Sequence, residues 1–354
     1  MKSLTAIFLF TILISKSLAQ DIDFNTSKVS IGGYGELHYN SEKVGSQPTK
    51  SSLDFHRFVL FLGYNWTEKW SLKTEIELEH NFVRNGQGEV ELEQAYINYH
   101  YADWFGFNIG VILPSIGLIN EYHEPPLFFG TERPVYHNLI IPTTWFGNGA
   151  SVYSNINGFD IKLTIFESLN SDKFSFSQGI RPGRMKGYFP DASRFLYSAR
   201  LDYLNIPGMK IGGSISFNNA KGDSTNVNLI ISEFHSKYNA NNITAVFEIG
   251  NISYDSGILR QSFGYYFDFG YDINSFFNLK TKIQPFIRYS DINTATKTSS
   301  GGLNEKLFHF KEIMFGISVK PIDEIVFKLD YSERTRQSDN RKSKFINFGA
   351  GFMF

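Results

Sequence analysis

Apolar and polar residues alternate with a period of two along most of the chain. Residues 159–165 read Phe-Asp-Ile-Lys-Leu-Thr-Ile, and residues 325–331 read Ile-Val-Phe-Lys-Leu-Asp-Tyr. This alternation places apolar side chains on one face of a β-strand and polar side chains on the other. No stretch of comparable length keeps the period of an α-helix, so the pattern predicts an all-β chain.

Sixteen segments carry the pattern and are predicted to be strands. They are residues 28–41, 52–65, 70–81, 88–101, 105–113, 147–155, 159–168, 192–204, 209–218, 226–238, 242–255, 259–272, 277–290, 305–320, 324–336 and 341–354. Seven short turns alternate with eight longer connections between them. Because the predicted number of strands is even, both termini lie on the same side of the sheet.

A soluble β-sandwich shows the same alternation, with its apolar face in the core. Three features favour a transmembrane antiparallel β-barrel of about 16 strands instead. Many segments run to about 10–15 residues, whereas strands of globular proteins average about five or six. Aromatic residues crowd the segment ends, as at Trp66, Trp70, Phe276 and Phe277. Short turns and longer connections alternate, as expected for a periplasmic and an extracellular side, with both termini periplasmic. A barrel of about sixteen strands encloses an aqueous channel.

The alternation changes phase within residues 88–101. Glu89, Glu91 and Glu93 occupy the parity that Ala95 takes later. Two explanations stay open: a β-bulge near Gln94, or a strand that rises above the membrane.

Both ends of the chain carry targeting signals. Lys2, the apolar residues 4–14 and the small-residue site ending at Ala19 predict a signal peptide, residues 1–19, cleaved after Ala19. Residues 20–354 then form one barrel domain outside the cytoplasm. The last segment resembles the signal that the barrel-assembly machinery reads, in Asn347, Gly349, Phe352 and Phe354.

Composition narrows the function classes. After the N-terminus the longest apolar run is about six residues, and a membrane-spanning helix needs about 20, which excludes a helical transporter. The formal net charge of −1 provides no basic field, so nucleic acid is not an expected partner. The chain has no cysteine, which excludes disulfides, thiolate metal sites and a cysteine nucleophile.

The connection after the fifth predicted strand, residues 114–146, lacks clear strand periodicity. Loops of that length are usually functional or disordered, and its aromatic and proline residues argue against disorder. We expect it to fold into the lumen after strand five and form a constriction; the alternative is an extracellular cap that touches no solute. Its candidate residues for setting pore size and charge are Glu121, His123, Glu124, Glu132, Arg133 and His137.

The polar parity divides by charge. Glu75, Glu77 and Glu79 form an acidic stripe, with Glu91 and Glu93 as further candidates. The basic candidates for lining the pore come mostly later in the chain: Arg194, Arg200, Lys210, Lys280, Lys282, Arg288, Lys328, Arg334 and Arg336. One interpretation is a transverse field that orients dipolar solutes. The other is pairing between neighbouring strands, for example of Lys328 with Asp330.

Enzymatic and metal chemistry are weakly indicated. The chain contains neither an HExxH nor a GxSxG motif. Glu121, His123 and Glu124 together with His137 offer metal ligands, but such clusters are common in exposed loops. We therefore predict no catalytic residue, no cofactor and no metal.

Four stretches resemble the family of phosphate-selective porin O/P-like proteins. They are Gly-Tyr-Gly-Glu at 33–36, Leu-Glu-Gln-Ala-Tyr-Ile-Asn-Tyr at 92–99, Glu-Pro-Pro-Leu-Phe-Phe-Gly-Thr-Glu-Arg-Pro at 124–134 and Ile-Ile-Pro-Thr-Thr-Trp at 140–145. The resemblance implies a sixteen-stranded outer-membrane channel that forms homotrimers. Phosphate-selective members line their pores with an arginine ladder and a lysine cluster, and no dense basic ladder is evident in this sequence.

These observations predict an outer-membrane porin of a Gram-negative bacterium. It would pass small hydrophilic solutes, including anions such as phosphate, by passive diffusion and would contact lipid and the barrel-assembly machinery. The alternative is a barrel plugged by its loops that acts in binding or adhesion.

Overall fold

The structure, a computed structural model, describes residues 28–84, 87–299 and 305–354. The predicted signal peptide and its cleavage site lie outside these residues and stay predictions. Within the described part of the chain, no helix is long and apolar enough to cross a membrane.

Sixteen strands make up most of the described chain. They are β1 (Val29–Val44), β2 (Lys50–Asn65), β3 (Trp70–Glu79), β4 (Val90–Ala102), β5 (Phe105–Ile112), β6 (Gly147–Ile156), β7 (Phe159–Glu167), β8 (Phe195–Ile206), β9 (Met209–Lys221), β10 (Asn226–Ala240), β11 (Ile243–Tyr254), β12 (Leu259–Tyr271), β13 (Lys282–Thr298), β14 (His309–Ile322), β15 (Ile325–Arg336) and β16 (Lys342–Met353). Each strand pairs antiparallel with its neighbours in sequence, and β1 pairs with β16. The predicted closed antiparallel barrel of sixteen strands is confirmed.

Short helices occur only in connections of the described chain. Helix α1 (Tyr136–Leu139) and a 3₁₀ turn (Pro125–Leu127) lie between β5 and β6, and α2 (Asn274–Phe277) lies between β12 and β13. Three further 3₁₀ turns are Ser171–Lys173, Arg181–Gly183 and Glu305–Phe308.

Short and longer connections alternate along most of the barrel, as predicted, with three corrections. The predicted strands 259–272 and 277–290 are separated by α2, which ends at Phe277 and is followed by the cap residue Asn278 with a φ of 53°. Strand β13 therefore begins only at Lys282, and Lys280 lies outside it, exposed. The 3₁₀ turn before β14 moves the start of that strand to His309. Residues 168–194 form a second long connection, which the pattern did not single out, and exposed Arg194 belongs to it.

The apolar and polar faces of the strands are distributed as predicted for a barrel in lipid. In β15, Leu329 is 51% exposed, whereas neighbouring Lys328 and Asp330 are 3% and 2% exposed. A soluble sandwich would bury the apolar parity and expose the polar one. The polar parity of this barrel therefore faces its interior.

The phase change in β4 is a β-bulge, the first of the two explanations. Glu75 of β3 lies opposite Gln94, but Ile76 lies opposite Leu92, so Glu93 has no partner of its own in the ladder. A bulge of this kind re-aims a side chain. Glu93 is fully buried as a result, while Leu92 remains exposed.

Aromatic rings meet at the edge of the barrel that carries the short connections, as the sequence predicts. Trp70 and Tyr99 have ring centroids 4.5 Å apart, and Phe159 and Tyr203 have centroids 4.8 Å apart. Such rings suit the boundary between hydrocarbon and water.

Ile215 tests whether the exposed apolar band contacts lipid. It lies at the centre of β9 and is 58% exposed, and Ile322, at the end of β14, is 54% exposed. We expect Ile215→Arg to lower the free energy of unfolding by about 2–4 kcal/mol and Ile322→Arg by only about 0–1 kcal/mol, because the cost of a charge depends on its depth in the bilayer. Denaturant unfolding in lipid vesicles measures both. Equal losses at the two positions would contradict a membrane-spanning band.

Candidate functional site

The connection between β5 and β6, which we call the 113–146 segment, is mostly buried. Trp145 is 1% exposed, and Tyr136 and His137 are fully buried. Connecting segments normally run over a protein surface because their backbone polar groups need water. This segment must therefore find its hydrogen-bond partners within the protein.

Strand β15 supplies several of those partners. The backbone N–H of Thr131 donates to Asp330 Oδ2 over 2.7 Å. Lys328 Nζ donates to the carbonyl oxygen of Gly130 over 2.8 Å and lies 3.7 Å from the centroid of the Phe128 ring. Lys328 and Asp330, considered from sequence as a possible pair, thus both hold the segment.

Strands on other sides of the barrel hold the segment as well. The N–H of Leu118 donates to Glu248 Oε1 of β11 over 3.0 Å. Arg200 of β8 donates to the carbonyl oxygen of Gly117 over 2.7 Å. On β1, His38 Nδ1 lies 3.0 Å from Glu132 Oε1. Strands β1 and β8 lie on opposite sides of the closed barrel.

Strand glycines allow the segment to approach the wall closely. A Cβ on Gly349 would lie 2.9 Å from Thr131 Cγ2, and one on Gly351 would lie 2.6 Å from Pro125 Cβ. At Gly250 of β11 it would meet the Tyr136 hydroxyl at 2.3 Å. These glycines provide the space in which the segment packs.

An apolar cluster surrounds α1. Tyr136, Ile140 and Trp145 pack with side chains of the surrounding strands, including Leu196 of β8 and Ile252 of β11. The cluster explains why a connection rich in aromatic residues and proline is ordered.

The 168–194 connection packs against the 113–146 segment. Arg184 Nη1 donates to the carbonyl oxygens of Thr143 and Thr144, each over 2.7 Å. Burial, together with the neighbouring charge of Arg181, lowers the pKa of Arg184 to about 9. No periodic pattern in residues 168–194 predicts this contact.

The six candidate residues of the segment do not form one group. Glu121 binds Lys162 and Arg200 at 2.8 and 3.3 Å, and His137 Nε2 lies 2.8 Å from Glu248 Oε2. His123 lies beside β3 and β4. Glu124 and Arg133 are half-buried. The metal-ligand set considered from sequence, Glu121, His123, Glu124 and His137, is therefore not assembled.

Glu132 is the candidate with the best-defined electrostatics. Asn40 Nδ2 donates to its Oε1 over 2.8 Å. Burial opposes ionisation of the Glu132 carboxyl. The hydrogen bond with His38 and the positive charge of His38 outweigh this and lower the pKa of Glu132 to about 2. Glu132 is therefore a carboxylate at neutral pH.

Most of the basic candidates pair with carboxylates. The pairs are Arg200 and Lys210 with Asp202, Lys282 with Asp323, Arg288 with Asp268, Arg334 with Glu312, and Arg336 with Asp339. Charge pairing, one of the two interpretations of the sequence, is thus present. The transverse field stays a prediction.

The acidic stripe has a basic partner that the sequence did not reveal. Glu75 and Glu77 are buried, and Arg57 of β2 lies 3.1 Å from Glu77 Oε1 and 2.9 Å from Glu36 Oε1. Glu79 is half-buried. The sequence analysis did not select Glu36 and Arg57 as lining residues. Both lie on the polar parity of their strands, and this alternation was the sequence signal that could have identified them.

A cavity of about 410 Å³ lies between the segment and the ends of β9–β14 near the short connections. Leu118, Pro126, Leu127, Phe128 and Phe129 line its segment side. Its strand side carries the lysine cluster, which we define as Lys210, Lys237, Lys282 and Lys320. Among the described residues, no carboxylate pairs with Lys237 or Lys320; Lys320 donates to the carbonyl oxygen of Pro126 over 2.5 Å.

The chain is similar to several known proteins. No family model matches it. An uncharacterized protein of Aquifex aeolicus is 28% identical over 353 residues, covering 92% of this chain and 80% of that protein. The outer-membrane channel DcaP of Acinetobacter baumannii has a TM-score of 0.63 at 11% identity, with 92% of this chain and 97% of that chain covered.

Two further solved structures have the same fold. The anion-selective porin from Comamonas acidovorans has a TM-score of 0.60 at 9% identity, with 92% and 99% of the two chains covered. The trimer form of OmpT, an outer membrane protein of Vibrio cholerae, has a TM-score of 0.57 at 10% identity, with the same coverage. Outer-membrane porins are thus structural neighbours of this chain, and at such identities the likeness concerns the fold.

A disulfide tests the contact between the segment and the wall. A Cβ on Gly349 would lie 3.5 Å from Thr131 Cβ, within the range of about 3.5–4.5 Å found in disulfides. We expect Thr131→Cys/Gly349→Cys to cross-link in the folded protein, since the chain has no other cysteine. Mass spectrometry of the unreduced digest detects the bridge.

The control is Thr131→Cys/Phe348→Cys, because Phe348 is 40% exposed on the opposite face of β16. Equal cross-linking in the two variants, or none in the first, would contradict the contact.

Proposed function

We propose that this chain is an outer-membrane porin through which small hydrophilic solutes diffuse passively. The observation that carries the proposal is the closed barrel of sixteen strands with its polar parity buried and its apolar parity exposed. About sixteen strands enclose a space wider than their own side chains fill. Similarity of fold to outer-membrane porins supports the same function. Diffusion through such a space needs neither a cofactor nor a catalytic residue.

In this proposal the 113–146 segment lies in the lumen and sets the aperture. Its bonds to β1, β8, β11 and β15 support this position, because these strands surround the barrel axis. A cap over the ends of the strands would not contact inward-facing residues on opposite walls. The segment would narrow the wide barrel to a passage suited to small solutes.

The proposal also includes export, assembly and oligomerisation. Residues 1–19 would direct export, and Asn347, Gly349, Phe352 and Phe354 would direct insertion into the outer membrane. A homotrimer is proposed from the family resemblance, and a structural neighbour has a trimer form.

A preference for anions is the finer part of the proposal. The lysine cluster supports it, because Lys237 and Lys320 bring positive charge without a paired carboxylate to one cavity. Low-dielectric walls focus such a field and raise the local concentration of counter-ions. Phosphate would be one solute of this class.

Single-channel recording of the refolded full-length protein in a planar bilayer with KCl tests the channel function. We expect discrete conductance steps from the wild type. Replacing residues 118–142 by a short Gly-Ser linker should enlarge the steps, because it removes the proposed constriction. A folded wild-type barrel that gives no current would contradict the porin proposal, and current from the linker variant alone would then identify a plugged barrel.

Lys237→Gln/Lys320→Gln tests the anion preference. We expect the variant to lose selectivity for chloride over potassium, seen as a shift of the reversal potential in a KCl gradient. Lys342→Gln/Lys344→Gln is the matched control, since it removes the same charge from two exposed lysines that pair with Glu333. An unchanged reversal potential in the first variant would refute a role for the lysine cluster.

A further inference from the structure

Three side chains of metal-ligand type meet where the 113–146 segment touches β3 and β4. They are Glu75, Glu93 and His123, whose ligand atoms all lie within 4.8 Å of one another. The three residues are 1%, 0% and 3% exposed. Two come from adjacent strands and one from the segment, so the group connects the segment to the wall.

The hydrogen bonding of His123 leaves one ring nitrogen available. His123 Nδ1 lies 3.0 Å from the carbonyl oxygen of Asn120. A carbonyl oxygen only accepts, so Nδ1 carries the hydrogen and donates it. In the neutral ring the lone pair is then on Nε2, which faces Glu75 and Glu93. Metal-binding histidines are commonly oriented by such a bond from their other nitrogen.

The distances suit a shared ion better than a direct hydrogen bond. His123 Nε2 lies 3.5 Å from Glu93 Oε2 and 3.7 Å from Glu75 Oε1, beyond the range of about 2.7–3.2 Å for N–H···O bonds. Ligands about 2.0–2.2 Å from a tetrahedral zinc ion are themselves about 3.3–3.6 Å apart.

Four buried polar atoms of this group lack hydrogen-bond partners. Both carboxylate oxygens of Glu93, Oε1 of Glu75 and Nε2 of His123 make no hydrogen bond within the described chain. The other oxygen of Glu75 accepts a hydrogen bond from Gln94 Nε2, which orients that carboxylate. Buried polar atoms without partners are rare in proteins and costly. Four such atoms in one place indicate a ligand.

The two carboxylates of Glu75 and Glu93 also lack a paired cation. The guanidinium of Arg57 is engaged by Glu36 and Glu77, and Arg133, whose charge acts on His123, forms no ion pair with either carboxylate in the described chain. A divalent cation would neutralise both carboxylates while His123 stays neutral.

We propose that Glu75, Glu93 and His123 bind one divalent transition-metal ion, of which zinc is the best match, through carboxylate oxygens and Nε2. An imidazole ligand favours zinc over magnesium or calcium. The bulge of β4 contributes to the site by aiming Glu93 inward beside Glu75. The ion would attach the segment, through His123, to β3 and β4, which goes beyond a channel function and does not depend on it.

The chain provides a control group of similar composition. Asp54, His56 and His80 also lie close together, but they are less buried, and Asp54 Oδ2 already accepts from both histidines at 3.3 and 2.8 Å. Zinc bound there would depend on His80 and not on His123.

Zinc titration of the chelator-treated, folded full-length protein tests the proposal. Calorimetry should show one equivalent of zinc chloride bound by the wild type and by His80→Gln. Glu93→Gln and His123→Gln should bind it at least about 100-fold more weakly, because each loses a direct ligand where second-shell losses alone cost about 10–100-fold. Wild-type binding no stronger than that of Glu93→Gln, or binding lost in His80→Gln, would overturn the assignment.

A second measurement needs no variant and so does not depend on the folding of one. Crystals of the wild-type protein soaked in zinc chloride should give an anomalous diffraction peak within bonding distance of Glu75, Glu93 and His123. A peak only at Asp54, His56 and His80, or no peak, would refute the site.

Discussion

The closure of the sheet is the constraint on which the rest of this structure depends. A bilayer offers no water to an unpaired strand edge, so each backbone N–H and C=O must find a partner in the protein. Strand β1 finds its partner in β16, from Tyr34 opposite Met353 to Val44 opposite Ser343. The two ends are joined further by hydrogen bonds in both directions between the backbones of Gly33 and Phe354. Closure also fixes the register of every strand, because a slip by one residue would turn each apolar side chain inward.

A closed barrel with its polar parity inside has to compensate many buried charges. A buried charge without a partner is far more costly than one that is paired and hydrogen-bonded. Part of the compensation is local, as between Arg288 and Asp268. Another part comes from the 113–146 segment, whose backbone accepts a hydrogen bond from Lys328 and donates one to Asp330. The segment and the wall therefore depend on each other: the wall supplies the hydrogen-bond partners of an irregular backbone, and that backbone supplies the partners of inward charges.

The sequence was sufficient for the strand number and the faces, because alternation is a local property that each strand carries by itself. It was insufficient wherever a distant partner decides the outcome. Phe276 and Phe277 resemble the aromatic end of a strand, but both belong to α2. The bulge at Glu93 could be chosen over its alternative only once β3 lay beside it. Partners of the segment are distant in sequence, as Glu248 is from Leu118 by 130 residues, and they follow from closure rather than from any pattern.

In the proposed channel, the position of the segment would affect the passage of solutes through the barrel. Its bonds to Glu248, Arg200 and Asp330 hold it from opposite walls, and the lysine-lined cavity lies between it and the short connections. The lysines of the strand side face apolar side chains of the segment across that cavity, and low-dielectric walls of this kind focus the field of nearby charges. An anion entering this cavity would be attracted by the lysines on its strand side, while the apolar side chains of the segment would offer it no compensating contact. In the proposed channel, selection by charge and restriction by size would then occur at the same level of the barrel, because one segment would create both the narrow passage and the low-dielectric boundary.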